Sequence, residues 1–212
     1  MCGRYTVSGS DIAGLRRRFG LDERIEVRQR FNVAPGDDVV TVGPGGGALL
    51  RWGFLRDNAY TTINARAESL VERPTWRTAL HEGRCLVIAD GFYEWQRRAG
   101  GDGLHKQPYW ITRADRRPFA FAGLASPWGT CAIVTTTATP ELLDLHDRMP
   151  VMLDPALERR WLSPDTSADE ALSMLRPFED TAHVPVGTAV NDARYDGPAC
   201  LDPAPPPPPT LF

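Results

Sequence analysis

Residues 84–96 have the sequence RCLVIADGFYEWQ, which contains two apolar runs, 84–89 and 91–96, separated by a single aspartate. Two further runs of this kind follow at 107–113 and 119–125, with polar turn sequences between them. Short apolar runs bounded by turn residues are typical of buried strands. Because these runs follow one another with no helical pattern between them, the sequence predicts an α+β domain with a mainly antiparallel sheet.

The flanking sequence adds further strands and several helices. VVTV at 39–42 and ALLRWGF at 48–54 flank GPGGG and predict a hairpin, and TCAIVTTTA predicts a strand at 130–138. RFNVAPG at 30–36 and LHDRMP at 145–150 are predicted to be loops. Capping residues, including Ser10 before the first helix and Gly20 at its end, delimit the helices. The predicted helices span 10–20, 74–82, 140–145, 155–162 and 167–175.

Length and composition indicate one globular domain. The chain has 212 residues, of which 42% are hydrophobic and 24% charged, as in ordinary globular proteins. We assign residues 1–200 to this domain. Residues 201–212 form a proline-rich tail, predicted to be extended polyproline II because DPAPPPPP occupies 202–209.

The charge distribution excludes a protein that coats nucleic acid by bulk charge. The net charge is -3, but residues 1–120 carry 19 basic and 14 acidic residues, whereas 121–212 carry 5 and 13. A polyanion would therefore meet the first part of the chain. Almost every basic residue is arginine, which can bind a phosphate through two nitrogens.

The four cysteines form no CxxC pair, so neither a zinc site nor a thioredoxin-like site is expected, and Cys85 and Cys131 are predicted to be buried thiols in strands. The sequence also shows no signal-peptide pattern and no apolar stretch near the ~20 residues that span a bilayer. We therefore expect a cytoplasmic protein that makes no use of a membrane.

Cys2 is the most informative single position. Removal of Met1 is expected before so small a residue, and it would leave an α-amine and a thiol on adjacent carbons. Their reference pKa values are about 7.7–8.0 and about 8.5, so both groups are partly deprotonated near neutrality. Such a pair condenses with an aldehyde to an imine, which the thiol then closes to a thiazolidine. The alternative is an accidental cysteine at a frayed end.

Four further segments carry candidate functional residues. Glu94, in GFYEW, shares its strand face with Phe92; it is either a desolvated acid with a raised pKa or a solvated glutamate on an edge strand. INARAE places Asn64, Arg66 and Glu68 on one side of a strand, where Asn64 and Arg66 could hold a carbonyl or phosphate, or Arg66 could simply pair with Glu68.

His146, in LHDRMP, lies in the predicted loop before Pro150, together with Arg148. A histidine there could protonate a leaving or ring oxygen, although a lone histidine is more often structural. Pro35, in RFNVAPG, could present a rigid backbone edge or mark an ordinary turn.

Taken together, these segments resemble one known family. MCGRY, RFNVAPG, RWG, INARAE, CLVIADGFYEW, KQPYWI, AFAGLA and LHDRMPVML occur in the order seen in the SRAP (SOS response-associated peptidase) domain, and AVNDARYDGP resembles the family's C-terminal stretch. Each motif alone is weak, but the ordered set covers about residues 1–200. The resemblance implies a single SRAP-like domain with a barrel-like, mainly antiparallel core and peripheral helices.

The resemblance also implies a function: recognition of abasic sites in single-stranded DNA and covalent trapping of their aldehyde. By motif, Cys2 matches the crosslinking residue, Asn64 the residue that positions it, Glu94 the acid–base group and His146 the group that assists sugar ring opening. The remaining matches are expected to contact DNA. These are Arg4, Pro35, Arg66, Arg73 and Arg148.

The sequence departs from the family in one relevant segment. Family members carry a second tryptophan in the loop before NAR, whose side chains stack on DNA bases, and RWGFLRDNAYTTINAR lacks it. Leu55 or Tyr60 could substitute. The chemistry is therefore better supported by the sequence than the way the DNA is held.

Three functions follow as hypotheses. The first is an abasic-site crosslinking protein with weak lyase activity, the second a thiol peptidase or autoprotease that uses Cys2, and the third a non-catalytic binder of single-stranded nucleic acid. No cofactor or metal is expected. The expected partner is single-stranded DNA with abasic sites, with replication or repair proteins as further candidates, and the protein is expected to be a monomer that associates with the nucleoid when bound to DNA.

Overall fold

The structure, a computed structural model, describes residues 2–56, 59–100 and 103–205, with side chains described in these ranges except for 55–61 and 98–105. No helix in this part of the chain is long and apolar enough to cross a membrane, and the longest has 9 residues. The α-helices are α1 (Ile12–Phe19), α2 (Pro74–Glu82), α3 (Pro155–Leu162) and α4 (Ala168–Ser173).

Within the described residues, fourteen strands are interspersed with these helices and with short 3₁₀ turns. They are β1 (Tyr5–Val7), β2 (Arg30–Val33), β3 (Asp38–Gly43), β4 (Gly46–Trp52), β5 (Phe54–Arg56), β6 (Ala59–Thr62), β7 (Asn64–Arg66), β8 (Arg84–Ala89), β9 (Gly91–Gly100), β10 (Gly103–Arg113), β11 (Phe119–Ala125), β12 (Thr130–Thr137), β13 (Arg148–Pro150) and β14 (Thr181–Pro185).

Five of these strands close into a ring. Antiparallel pairs join β11 to β8, β8 to β3 and β3 to β4, while β4 runs parallel to β12, which pairs in turn with β11. The strands β7 and β13 extend β12 on either side of its far half. This arrangement confirms the predicted α+β fold with a barrel-like, mainly antiparallel core.

A second sheet, in the order β14-β10-β9-β1-β2, packs against the ring through aromatic side chains. Tyr5 on β1 lies 5.3 Å from Trp52 and 5.8 Å from Phe121, measured between ring centroids, and Phe92 on β9 lies 6.1 Å from Phe121. All four rings are almost completely buried. Edge-to-face contacts of this kind hold the two sheets together and place β1 in the core.

Most elements agree with the sequence predictions. The predicted bounds of α2, α3, β8 and β11 are confirmed, as are the hairpin at 39–54 and the buried strand thiols Cys85 and Cys131. Proline at the first position explains the sharp starts of α2 and α3. In α1 the cap is Asp11, which accepts a hydrogen bond from the Gly14 amide, and not Ser10.

Three predictions were wrong. The predicted loop at 30–36 begins with strand β2, because residues 30–33 pair with β1, and the predicted loop at 145–150 contains β13, which pairs with β12. The predicted helix at 140–145 is only a short 3₁₀ turn at Pro140–Leu142. In the first two cases a partner distant in sequence supplies the hydrogen bonds, which local composition does not reveal.

One buried amide makes several of the hydrogen bonds that attach the C-terminal segment to β2, and the Asp196 carboxylate makes others by accepting from the Phe31 and Asn32 amides. The Nδ2 of Asn32 donates to the carbonyl oxygens of Val190, Asp192 and Tyr195 at 3.4, 2.9 and 2.8 Å, and its Oδ1 accepts from Arg4 at 3.2 Å. Asn32 is 1% exposed. This one side chain therefore satisfies polar groups of an otherwise irregular segment.

The predicted tail begins as part of this segment. Gly187 donates to the Asp202 carbonyl at 2.8 Å, and Ala204 donates to the Pro185 carbonyl at 3.2 Å. The polyproline prediction for 202–209 falls largely on 206–212, outside the described residues. The division of the chain at residue 200 stays a prediction.

We expect Asn32→Ala to lower the free energy of unfolding by about 1–3 kcal/mol, since it leaves buried carbonyl groups without a donor. Urea denaturation checks this. Gln29→Ala, which removes one exposed hydrogen bond to the Ser8 carbonyl, is the matched control and should cost much less. Equal stability of Asn32→Ala and the wild type would contradict the role assigned to this amide.

Candidate functional site

Cys2 lies in the core next to β9. Strand β1 pairs antiparallel with β9 through Tyr5 and Phe92, and the Tyr93 amide donates to the Arg4 carbonyl at 3.0 Å. This pairing leads the chain inward, so that Cys2 is 0% exposed, with its Sγ 3.8 Å from the Arg4 carbonyl oxygen. The frayed end considered as an alternative for Cys2 is therefore excluded.

Asn64 holds the backbone of Cys2. It starts β7, which runs parallel to β12 with Asn64 opposite Ile133. Its Nδ2 donates to the carbonyl oxygen of Cys2 at 2.9 Å, and its side chain is buried. Its Oδ1 is also buried and has no hydrogen-bond partner within the described ranges. Asn64 thus both orients Cys2 and offers one further acceptor.

Glu94 is a desolvated acid. It lies on β9, between β1 and β10 in the sheet, and is 5% exposed. Burial raises the pKa of its carboxyl, and the nearby His146 offsets only part of that rise. Of the two alternatives for Glu94, the desolvated acid is confirmed and the solvated edge glutamate is wrong.

Glu94 is close enough to Cys2 to affect its thiol. Burial, and then the negative charge of Glu94, raise the pKa of the Cys2 thiol well above its ordinary value. The thiol is therefore protonated near neutral pH. A group in this state is a poor nucleophile until it loses its proton or meets a strong electrophile.

His146 lies in the short connection before β13. Its Nδ1 accepts a hydrogen bond from the Arg148 amide at 3.0 Å, which assigns the proton of the neutral ring to Nε2. The same Nδ1 is 2.8 Å from Oδ1 of Asp147, and this oxygen can accept a hydrogen bond from Nδ1 when the ring carries a proton there. The side chain is about one-third exposed, so solvent reaches it, and it lies near enough to Glu94 to lower the pKa of that carboxyl.

A groove of about 720 Å³ opens beside Asn64, and we call it the Asn64 groove. It brings together Asn64 and three of the five predicted DNA-contacting residues, of which Arg66 and Arg73 are exposed. Apart from Glu68, which lies in the INARAE segment, sequence reasoning missed the rest of the lining, because no motif marks it. The groove is lined by Thr62, Asn64, Arg66, Glu68, Ser69, Glu72, Arg73, Trp76, Thr137 and Arg148.

The ion pair in this groove differs from the predicted one. The chain leaves the extended conformation after Arg66 and forms a 3₁₀ turn at Ala67–Ser69. Glu68 therefore pairs with Arg148, at 2.9 Å between Oε2 and Nη2, and not with Arg66 as one alternative held.

The other two predicted contact residues lie elsewhere. Arg4 donates to the Val190 carbonyl at 2.9 Å as well as to Asn32, so it joins the C-terminal segment to β2. Pro35 is exposed in the turn after β2. Neither residue lines the Asn64 groove. The side chains of Leu55 and Tyr60, considered as substitutes for the missing tryptophan, lie outside the described residues.

The described side chains include no group of three or more histidine, cysteine or acidic residues arranged to hold a metal ion.

A comparison with protein families matches residues 1–193 to the SOS response-associated peptidase (SRAP) family. The chain belongs to the SRAP family.

Similar SRAP proteins include bacterial and vertebrate relatives. The Bacillus subtilis protein named abasic site processing protein YoqW is 35% identical over 95% of this chain and 99% of its own length. The Xenopus tropicalis protein named abasic site processing protein HMCES is 30% identical over 73% of this chain and 56% of its own length.

A solved structure agrees with this assignment. The crystal structure of a phage-related protein from Bordetella bronchiseptica superimposes with a TM-score of 0.71 at 30% identity, covering 87% of this chain and 94% of that one. The SRAP fold is thus common to both chains.

The buried state of Glu94 leads to a pH-dependent prediction. Burial raises the pKa of the Glu94 carboxyl in the folded state above its value in the unfolded state. At a pH between these two values the folded state binds more protons than the unfolded state. The free energy of unfolding therefore falls as the pH rises through the folded pKa. Glu94→Gln should therefore be more stable than the wild type at pH 8, by about 1.4 kcal/mol for each tenfold change in the acid constant.

Thermal melting between pH 4 and pH 8 checks this. The gain should become small at pH 4, where the carboxyl is mostly neutral in both states. The exposed Glu82→Gln is the control and should show no such trend. A Glu94→Gln variant that melts below the wild type at pH 8 would mean that ionic partners, and not burial, dominate at this site.

Proposed function

We propose that the protein binds abasic sites in single-stranded DNA and, after removal of Met1, forms a thiazolidine crosslink through Cys2. The observation that carries this proposal is the buried Cys2, held by Asn64 at 2.9 Å with the Glu94 carboxyl nearby. The relatives named abasic site processing proteins support the same substrate. A ring-opened abasic sugar presents an aldehyde, the electrophile that an amine and a thiol on adjacent carbons can capture twice.

The amine reacts first in this mechanism. The Cys2 nitrogen adds to the aldehyde carbon, and a proton moves to the former carbonyl oxygen to give a carbinolamine. Glu94, whose pKa is raised by burial, acts here in its protonated form: it donates a proton to that hydroxyl, which leaves as water, and a protonated imine and the Glu94 carboxylate remain. Asn64 keeps the Cys2 backbone in place during both steps.

The thiol reacts second. Its raised pKa keeps it protonated until the protonated imine provides a stronger electrophile. The sulfur then forms a bond to the imine carbon, the electron pair of the C=N π bond moves to the nitrogen, which becomes a secondary amine, and the thiol proton passes to the Glu94 carboxylate. The five-membered ring occupies both nucleophiles, so the adduct resists hydrolysis better than an imine.

His146 acts before the amine. Abasic sugars are mostly closed hemiacetals, and opening the ring requires a proton on the ring oxygen. We assign this step to His146, a partly exposed group close to Glu94. The charged form of its ring gives the Nε2 proton to the ring oxygen as the bond from that oxygen to C1′ breaks, and the C1′ hydroxyl loses its proton to water as the aldehyde forms. The role also rests on the HDRMP motif of the family.

The DNA would lie in the Asn64 groove. Arg66 and Arg73 line the groove beside Asn64 and are exposed to solvent, so each can contact a phosphate. We retain Arg4, Pro35 and Arg148 as DNA-contacting residues on the family motifs. Binding should weaken with salt, by about 0.7 log units per log unit of salt for each phosphate neutralised.

Two other activities are weighed against this proposal. An imine permits β-elimination, so weak strand cleavage is expected as a side reaction and the ring shields the lesion from it. A thiol peptidase would need a reactive thiolate, and the raised pKa of Cys2 disfavours one. We therefore rank peptidase activity, including self-removal of Met1, below crosslinking, and plain strand binding below both.

Substitution of Cys2 separates these hypotheses. With single-stranded DNA that contains one abasic site, the wild type should give a shifted band on a denaturing gel. Cys2→Ala should lose the stable adduct, and Cys2→Ser, which keeps the amine, should lose most of its heat-stable fraction. A Cys2→Ser adduct as durable as that of the wild type would contradict ring closure by sulfur.

Selective acetylation of the amine provides the control for mechanism. It should abolish crosslinking while leaving the thiol intact, whereas a thiol peptidase would keep its activity. Full function in Cys2→Ala would instead favour a non-catalytic binder.

The DNA groove leads to a second prediction. Arg66→Gln should weaken binding to undamaged single-stranded DNA and reduce the slope of log affinity against log salt by about 0.7. Fluorescence anisotropy at several salt concentrations measures both. Arg24→Gln, an exposed arginine paired with Asp22, is the charge-matched control. An equal loss in both variants would mean that overall charge, and not the groove, binds the strand.

A further inference from the structure

Arg148 presents two nitrogens to one carboxylate. Its Nη1 donates to Oε1 of Glu68 at 3.1 Å, and its Nη2 donates to Oε2 at 2.9 Å. We call these two nitrogens the paired edge of Arg148. This two-point geometry is the one arginine uses for carboxylates and for phosphates alike.

The guanidinium is fixed from its other side by β12. Nη2 also donates to the Thr135 carbonyl at 2.6 Å and lies 3.3 Å from the Thr135 hydroxyl. The Arg148 side chain is only 13% exposed. The paired edge therefore points in a set direction whatever binds to it.

Glu68 is the more exposed member of the pair, and Arg148 is the more buried one. The Glu68 side chain is 51% exposed on the 3₁₀ turn at Ala67–Ser69, and both it and Arg148 line the Asn64 groove. Partial burial raises the pKa of Glu68, but the hydrogen bond from Arg148, a backbone hydrogen bond and the charges of Arg148 and Arg66 together outweigh it and leave the pKa below its ordinary value. The carboxylate is thus charged at neutral pH.

We propose that Glu68 is a built-in competitor of the DNA backbone, because its carboxylate occupies the paired edge of Arg148 where a phosphate would bind. This inference rests on the proposed function and adds an affinity-limiting residue to it. A strand that enters the groove must exchange the Glu68 carboxylate for a phosphate on Arg148, so this arginine adds little net affinity while Glu68 is charged.

Glu72 provides an internal comparison. It lines the same groove with the same charge, and it is exposed and has no hydrogen bond to Arg148. Removing the Glu72 charge changes the potential of the groove without freeing the paired edge. Removing the Glu68 charge does both, and the difference between the two variants isolates the competition.

The test measures binding of undamaged single-stranded DNA, which offers no aldehyde, to the wild type, Glu68→Gln and Glu72→Gln by fluorescence anisotropy. Glu68→Gln should bind about three- to fivefold more tightly than the wild type, the range expected for freeing a partly exposed ion pair. Its salt slope should be steeper by about 0.7, since one more phosphate meets a free cation. Glu72→Gln should gain clearly less.

A double-mutant cycle with Arg148→Gln assigns the gain to the pair. In that background Glu68→Gln should gain no more than Glu72→Gln does. Thermal melting of each variant shows that Arg148→Gln is folded.

The inference would be overturned if Glu68→Gln bound the strand no more tightly than the wild type. It would also be overturned if Glu68→Gln bound no more tightly than Glu72→Gln, or if neither the wild type nor Glu68→Gln bound the strand. Crosslinking to abasic DNA, measured on the same preparations, reports separately on the proposed function. An adduct without an affinity gain removes only the role of Glu68, and an affinity gain without an adduct removes only the crosslinking chemistry.

Discussion

The hydrogen bond from Asn64 to the Cys2 carbonyl, 2.9 Å long, joins two parts of the chain that the fold must bring together from a distance of 62 residues. Asn64 is placed by the parallel pairing of β7 with β12, and Cys2 by the antiparallel pairing of β1 with β9. Both positions depend on the packing of Tyr5 and Phe92 against Phe121. The site is therefore a property of the whole two-sheet core and not of one loop.

Burial of this site determines its chemistry. Desolvation raises the pKa of both Cys2 and Glu94, so the thiol and the carboxyl favour their neutral forms together. A neutral acid can protonate a leaving hydroxyl, and a neutral thiol waits for an activated electrophile. The same burial costs stability at high pH, which is a common property of sites whose ionisable groups are held away from water.

The groove outside the core follows different rules. There Arg66, Arg73 and Glu68 are exposed, whereas the Arg148 side chain, which pairs with Glu68, is only 13% exposed. Arg148, which is expected to bind a phosphate, is already paired with Glu68. The number of arginines in the groove therefore overstates its affinity for DNA. Exposed Arg66 and Arg73 remain available for this role.

Long elements with caps or continuous apolar runs could be predicted from the sequence. Pro74 and Pro155 mark helix starts, β8 is apolar after Arg84, and β11 contains no polar side chain. The short strands β2 and β13 could not, because their hydrogen bonds come from β1 and β12 and leave no local periodicity.

The candidate site residues followed from the family motifs and from the chemistry of Cys2. Their mutual contacts did not, since the pairing of Glu68 depends on where β7 ends and the 3₁₀ turn begins. A strand that continued through residue 68 would have favoured the predicted pair with Arg66.

The most direct test of crosslinking through the amine and thiol of Cys2 is peptide mass mapping of the purified adduct after alkylation of free thiols. We expect the N-terminal peptide to lack Met1, to carry the deoxyribose with loss of one water, and to have a Cys2 thiol that is not alkylated. An adduct whose Cys2 is alkylated would be an open imine, and a sugar attached to any other residue would contradict the assignment of Cys2.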